Sequence, residues 1–207
     1  MIDLKNICKK YGEKTLFDNF TLNVKDGEFL VLTGASGSGK TTLLNMIGGL
    51  EKPDSGEIII DGIDITNRRN LIKYYRETVA FLFQNFALLE NKTVRQNLSI
   101  IKKNTRSGIS IEDALERLKL SDLIDKKVYK LSGGEQQRVA LARVMIKNCK
   151  LILADEPTGA LDRYNTDIVM EELHELNKIG KTVVLVTHND RLINNEKNIV
   201  HIGRESN

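Results

Sequence analysis

The sequence predicts an α/β fold with a mostly parallel β-sheet, an N-terminal antiparallel β portion and an inserted helical subdomain. Three observations carry that prediction. Residues 79–83, residues 151–154 and Thr182–Val186 are short, nearly continuous apolar runs with helical patterns between them. Strands covered on both faces of a parallel sheet read that way. Nearer the N-terminus, Ile2 and Leu4, then Phe20, Leu22 and Val24, alternate with polar residues, the pattern of half-buried strands. Between these regions the apolar run 29–32 enters a glycine-rich segment, Gly34-Ala35-Ser36-Gly37-Ser38-Gly39-Lys40-Thr41, and then a helical-looking stretch through Leu50.

The elements that follow have local signals of their own. Residues 57–60, Asp61-Gly62 and residues 63–65 read as a hairpin around a tight turn. From about residue 93 to 123 the chain turns helical and polar, with Thr93–Gln96 and Ser110–Asp113 spaced as capping boxes. Ala114, Leu115 and Leu118 then fall at helical spacing. The whole chain, 1–207, is read as a single domain whose helical insertion covers approximately residues 90–145.

Composition narrows the class. An apolar fraction of 41% and a charged fraction of 29% suit a soluble globular protein. No apolar run approaches the roughly 18 residues that span a bilayer, and the opening Met1-Ile2-Asp3-Leu4-Lys5 has none of the features of a secretory signal. A net charge of +3 is too small to imply a nucleic-acid partner. The pairs Lys9-Lys10 and Lys126-Lys127 read as solvated surface, and so do His174 and His201. Cys8 and Cys149 have no CxxC partner and read as buried free thiols of a reducing cytosol.

The glycine-rich segment has the P-loop spacing, Gly-x-x-x-x-Gly-Lys-Thr, in a strand–loop–helix context. Gly34, Gly37 and Gly39 would let backbone approach a polyphosphate, and the loop amides and helix N-terminus would face the anion. Lys40 would reach the β- and γ-phosphates and Thr41 would ligate Mg²⁺. Ala35, Ser36, Ser38 and Thr42 complete this cofactor-binding segment, and the chain is expected to bind a nucleoside triphosphate.

Three strand ends carry further chemistry. Asp155 and Glu156 close the run 151–154, where open α/β sheets bind ligands. Asp155 is expected in the Mg²⁺ shell, and Glu156 is expected to face the water that attacks the γ-phosphate. Gln84 closes the run 79–83, positioned to bind Mg²⁺ or that water. His188 closes the third, within reach of a γ-phosphate. A second anion-facing helix start is written in Leu131-Ser132-Gly133-Gly134-Glu135-Gln136-Gln137-Arg138. Taken alone the string also reads as a plain capped helix start; since one nucleotide does not need two cradles, the second is expected to cap a nucleotide held by another copy.

Together these strings, in this order, resemble the ATP-binding subunit of an ABC transporter, with the likeness running from Tyr11 to His188. The resemblance implies that Tyr11 stacks on adenine, that Gln84 is the Q-loop glutamine, and that Ser132, Gly133, Gly134 and Glu135 form the signature. It makes Asp155 the Walker B acid, Glu156 the catalytic base, Thr158-Gly159-Ala160-Leu161-Asp162 the D-loop and His188 the switch histidine. Lys40 joins Glu156 and His188 as a catalytic residue; Thr41, Gln84 and Asp155 are the metal set.

The implied fold is the ABC ATPase form of a P-loop NTPase core, and the implied activity is Mg²⁺-dependent ATP hydrolysis. Implied partners are an integral-membrane permease and a second ATP-binding subunit. That second subunit is a head-to-tail homodimer mate joined through ATP. The location is cytoplasmic, on the inner face of the cell membrane. Residues 154–162 resemble lipoprotein-releasing, macrolide and antimicrobial-peptide exporters, and residues 81–89 resemble small bacteriocin exporters. The cargo is thus drawn from peptides, lipoproteins or drugs. Rival readings are a signalling module of the cell-division type coupled to a permease-like protein, an importer subunit, and a soluble ABC ATPase of DNA repair or translation. Val128-Tyr129-Lys130 and Glu90-Asn91-Lys92 depart from the exporter pattern by lacking proline, and no regulatory tail follows the His188 strand.

Overall fold

Two β-sheets organise the protein, and side-chain alternation along each strand decides which core it feeds. The computed structural model describes residues 1–203. Strands β1 (Ile2–Tyr11), β2 (Lys14–Val24), β4 (Ser55–Ile60) and β5 (Ile63–Asp64) form an antiparallel sheet in the order β2-β1-β4-β5. Strands β3 (Phe29–Thr33), β6 (Val79–Leu82), β7 (Leu151–Asp155), β8 (Thr182–Val186) and β9 (Asn198–His201) form the second sheet, ordered β6-β7-β8-β3-β9. Every neighbouring pair in it is parallel. The antiparallel portion is thus a sheet of its own rather than an extension of the parallel one.

The period of two sorts the parallel strands between two cores. Leu30, Leu32, Leu151, Leu153, Val184 and Val186 face one core, shared with Ile2 and Leu4 of the antiparallel sheet and with Leu43, Leu44, Met46 and Ile47 of α1 (Lys40–Ile47). The intervening Phe29, Val31, Ile152, Ala154, Val183 and Leu185 face the other. Strands covered on both sides must be apolar at every position, which is why these runs look continuous in sequence. Each of the Leu, Ile, Val, Met and Phe side chains contributes about 1.5–3 kcal/mol by leaving water.

The second core is closed by α5 (Gly133–Ile146) and α6 (Arg163–Lys178). Residues 139–142 and 144–146 of α5 are all buried, the mark of a helix enclosed by its neighbours. Three helices complete the frame on either side of β6: α2 (Arg68–Glu77) before it, then α3 (Val94–Leu98) and α4 (Ile111–Arg117). A short α7 (Asp190–Ile193) follows β8. Both expected capping boxes form, at Thr93–Gln96 and Ser110–Asp113. Buried Tyr74 of α2 donates its hydroxyl to the Ile47 carbonyl at 2.7 Å, tying α2 to the end of α1.

Several expectations are corrected. α1 stops at Ile47, not Leu50, because Gly48 and Gly49 follow and Gly49 turns left-handed. Strand β9 had no clear signal in its sequence. Cys8 is only half-buried, whereas Cys149 is buried. Lys9 is buried rather than solvated, its ammonium donating to the Lys52 carbonyl at 2.8 Å and lying 3.0 Å from Glu51. His174 is half-buried, stacked on Phe29 with ring centroids 4.6 Å apart and 3.0 Å from Glu196. Among the described residues no helix is long and apolar enough to cross a membrane.

Candidate functional site

Parallel pairing brings the chemistry-bearing strand ends to one edge. Leu82 of β6 pairs with Ala154 of β7, Asp155 with Val186 of β8, and Val186 with Leu32 of β3. The strands therefore finish nearly in register. Gln84, Asp155-Glu156, His188 and the loop from Gly34 to Thr41 all emerge together there, although up to 154 positions of sequence separate them.

A cavity of about 430 Å³ opens in front of the loop, within the range of small-molecule sites. Ser36, Gly37, Gly39, Lys40, Thr41 and Thr42 line it together with Glu156. Tyr11, Lys14 and Leu16 reach it from the antiparallel sheet. Gly39 is the N-cap of α1, which has no side-chain cap and no acid in its first turn, leaving its first amides available to an anion. Lys40 donates to the carbonyls of Gly34 at 2.8 Å and Ala35 at 2.9 Å, spanning the loop. The Tyr11 ring is 50% exposed, and its hydroxyl is hydrogen-bonded to Glu51. Half its surface is thus open to a stacking partner.

The loop glycines do not all serve the reason expected of them. Gly34 has φ +146°, and a Cβ there would lie 2.2 Å from the Ile202 carbonyl oxygen. Its smallness is demanded by the chain's own backbone. At Gly37 a Cβ would meet only the Lys14 ammonium, at 3.6 Å. Gly34 and Ala35 border a neighbouring hollow with His188 and His201 rather than the main cavity. Ser38 has a buried hydroxyl without a partner and does not line the cavity.

The two carboxylates are held differently. Asp155 Oδ1 accepts from the Thr41 hydroxyl at 3.2 Å. Burial pushes the Asp155 pKa above the ordinary carboxylate value; the Thr41 bond opposes this, the Glu156 charge adds to it, and Lys40 offsets part. Glu156 has left-handed backbone, φ 43°, a conformation uncommon for non-glycine residues. Its Oε1 lies 2.7 Å from His188 Nδ1, while Oε2 is buried without a partner. Gln84 is exposed and shares a hollow with Asp155. The hydroxyl, carboxylate and amide oxygens of Thr41, Asp155 and Gln84 are hard donors that fit Mg²⁺. Among the described residues no cluster of three or more His, Cys, Asp or Glu forms a metal cage.

The signature residues lie elsewhere. Ser132 caps α5 in a reciprocal box with Glu135, which donates its amide to Ser132 at 3.3 Å and accepts from the Ser132 amide at 2.7 Å. Gly134 packs so closely that a Cβ would come within 2.6 Å of the Asn165 side chain. None of Ser132, Gly133, Gly134 and Glu135 lines the loop cavity. Within one copy the site is thus assembled from the loop, the strand ends and the antiparallel sheet. Sequence reasoning missed Lys14, which donates to the Gly37 carbonyl at 2.9 Å. The two-residue turn Gly12-Glu13 was its signal, since β1–β2 pairing sets Lys14 opposite Tyr11.

Against known proteins, the pattern of the ABC transporter family matches residues 17–159. This chain belongs to the ABC transporter family. It is 42% identical, over 98% of its length, to the macrolide export ATP-binding/permease protein MacB of Campylobacter jejuni, but covers only 33% of that protein. The chain thus spans about a third of the length of such relatives. It is also 42% identical to the uncharacterized ABC transporter ATP-binding protein MJ0796 of Methanocaldococcus jannaschii, covering 98% of this chain and 93% of that one. A dimeric, post-hydrolysis structure of the MJ0796 cassette bound to ADP and Pi superposes with a TM-score of 0.85 at 39% identity, covering 98% and 94% of the two chains. The chain is therefore an ABC ATP-binding domain, with the nucleotide-binding P-loop fold its sequence predicts.

Proposed function

We propose that this ABC ATP-binding domain hydrolyses ATP, with Glu156 as the general base, to power export or membrane extraction through a separate permease. One observation carries the catalytic part. Glu156 reaches the nucleotide cavity with one oxygen held by His188 and the other buried and unpartnered. A carboxylate lining the cavity and oriented by a histidine is the group type that accepts a proton from an attacking water. His188 orients it, and Lys40 neutralises charge developing on the γ-phosphate. Tyr11 offers a stacking face to adenine. When bound, Mg²⁺ would lie among Thr41, Asp155 and Gln84 and supply further charge neutralisation.

Ser132, Gly133, Gly134 and Glu135, on a helical insertion of about residues 90–145, face the nucleotide of a second, head-to-tail copy in this reading. The dimeric MJ0796 structure supports pairing, and the name of the MacB relatives supports a permease partner. The complex sits on the inner face of the cell membrane, and its cargo is a peptide, lipoprotein or drug. The test is the turnover of Glu156→Gln, which keeps shape and the His188 contact. Its kcat is expected to fall by about 10²–10⁴, with ATP retained in a dimer. Hydrolysis near the wild-type rate would remove Glu156 from the role of base.

A further inference from the structure

Two residues after Gln84 the backbone does something costly. Phe86 and Ala87 are consecutive, neither is glycine, and both are left-handed, with φ 61° and 48°. Such residues visit this region singly, not in pairs, so something must hold the turn. The Phe86 amide reaches the Phe83 carbonyl at 3.1 Å, and the Ala87 amide the Asn85 carbonyl at 2.6 Å. Those bonds leave the outward carbonyls of Phe86 and Ala87 to be satisfied. Arg143 of α5 does this with both ends of its fork. Nη1 donates to Ala87 at 2.6 Å and Nη2 to Phe86 at 3.1 Å.

The same turn touches the other end of α5. The Phe86 ring lies against Gly133, where a Cβ would come within 3.9 Å of it. Ten residues separate Gly133 from Arg143, about 15 Å of helix. The strained turn therefore packs on the helix start that carries Ser132 and is bonded to the same helix almost three turns later. Gln84, just before it, shares its hollow with Asp155.

We propose that Arg143 is a positioning residue whose guanidinium clamps the doubly left-handed Phe86–Ala87 turn to α5, so that the signature helix and Gln84 move as one body. The proposal rests on the ATPase reading above and adds to it a physical link between two elements of the site. A planar fork meets two carbonyls at fixed spacing, whereas an ammonium is a single point charge. Lysine at 143 keeps the charge and loses the geometry. Glycine at 87 adopts the left-handed conformation without steric cost, so the turn needs its clamp less.

The test compares four full-length proteins, wild type, Arg143→Lys, Ala87→Gly and the double variant, for kcat, KM for ATP with Mg²⁺, and Tm. Arg143→Lys is expected to lower kcat about tenfold, as loss of one charge-assisted bond implies, with KM within about twofold of wild type and Tm little changed. Adding Ala87→Gly is expected to restore most of that loss. No rescue in the double variant would overturn the clamp, as would a Tm that falls and a KM that rises in proportion to the loss of activity. If the wild type did not hydrolyse ATP, the ATPase reading would fall and the clamp with it. A null cycle on an active, Glu156-dependent enzyme would remove the clamp alone.

Discussion

Replacing Gly34 by alanine separates two reasons for a glycine in a phosphate-binding loop. At this position a Cβ would sit 2.2 Å from the Ile202 carbonyl oxygen and 3.1 Å from Ser38 Oγ, on a backbone with φ +146°. The carbonyl belongs to main chain, and the adjoining Ile202 amide is bonded to Thr33 at 2.7 Å, so it cannot swing aside without loosening the end of β9. Strained backbone and overpacking together cost about 2–4 kcal/mol. For a chain of this size that lowers Tm by about 5–15 °C, before any nucleotide is added. Gly37→Ala is the control. Its φ of +73° is unfavourable, but only the flexible end of Lys14 lies nearby, so the cost is about 1 kcal/mol and Tm falls by only about 2–4 °C. Thermal melts of both variants without nucleotide, followed by ATP titrations, make the comparison. Equal Tm values for Gly34→Ala and wild type, with lost ATP binding, would refute the packing argument and return Gly34 to a purely ligand-facing role.

Other consequences follow from single contacts. Tyr11→Ala should weaken ATP binding by about 1–3 kcal/mol, the worth of one base–aromatic stack, while sparing hydrolysis at saturation; an unchanged titration would take Tyr11 out of the site. Asp155 binds its proton more tightly folded than unfolded, so its ionisation destabilises the fold above its raised pKa. Asp155→Asn should therefore raise the Tm of nucleotide-free protein at neutral pH while abolishing hydrolysis. That gain should shrink as pH falls towards the ordinary carboxylate range, and a gain independent of pH would contradict the assignment. Arg117 forks onto Glu172, whose side chain is 11% exposed, at 3.2 and 2.6 Å. Arg117→Ala should lower stability by about 1–3 kcal/mol, given the partly exposed arginine, and leave kcat unchanged. Identical denaturation curves would show the pair to contribute nothing.

Much of the site was legible because its signals are local. The loop from Gly34 to Thr41, the carboxylates after the run 151–154 and the signature beginning at Ser132 are contiguous strings whose chemistry needs adjacent residues. Capping boxes at Thr93 and Ser110 are local too, since both partners lie within one turn of helix. Where reasoning failed, the deciding contact was distant. Lys9 looked like surface because its Glu51 and Lys52 partners lie more than forty residues away. His174, on α6, looked like surface because its stacking partner, Phe29, comes from the distant strand β3. Lys14 was passed over because only β1–β2 pairing carries it to Tyr11 and the loop.

The sequence by itself determined the family, the parallel and antiparallel halves, and the residue types able to handle a nucleotide, because periodicity and short motifs express local backbone and burial demands. Tertiary structure alone decided which of those residues meet. Strand order β6-β7-β8-β3 gathers Gln84, Asp155, Glu156, His188 and the loop on one edge, and packing sets Ser132 apart from them. Gly34 shows the same division within one residue. Its type was plain in the motif, yet the demand for it comes from Ile202, 168 positions further along the chain and brought near only by the pairing of β9 with β3.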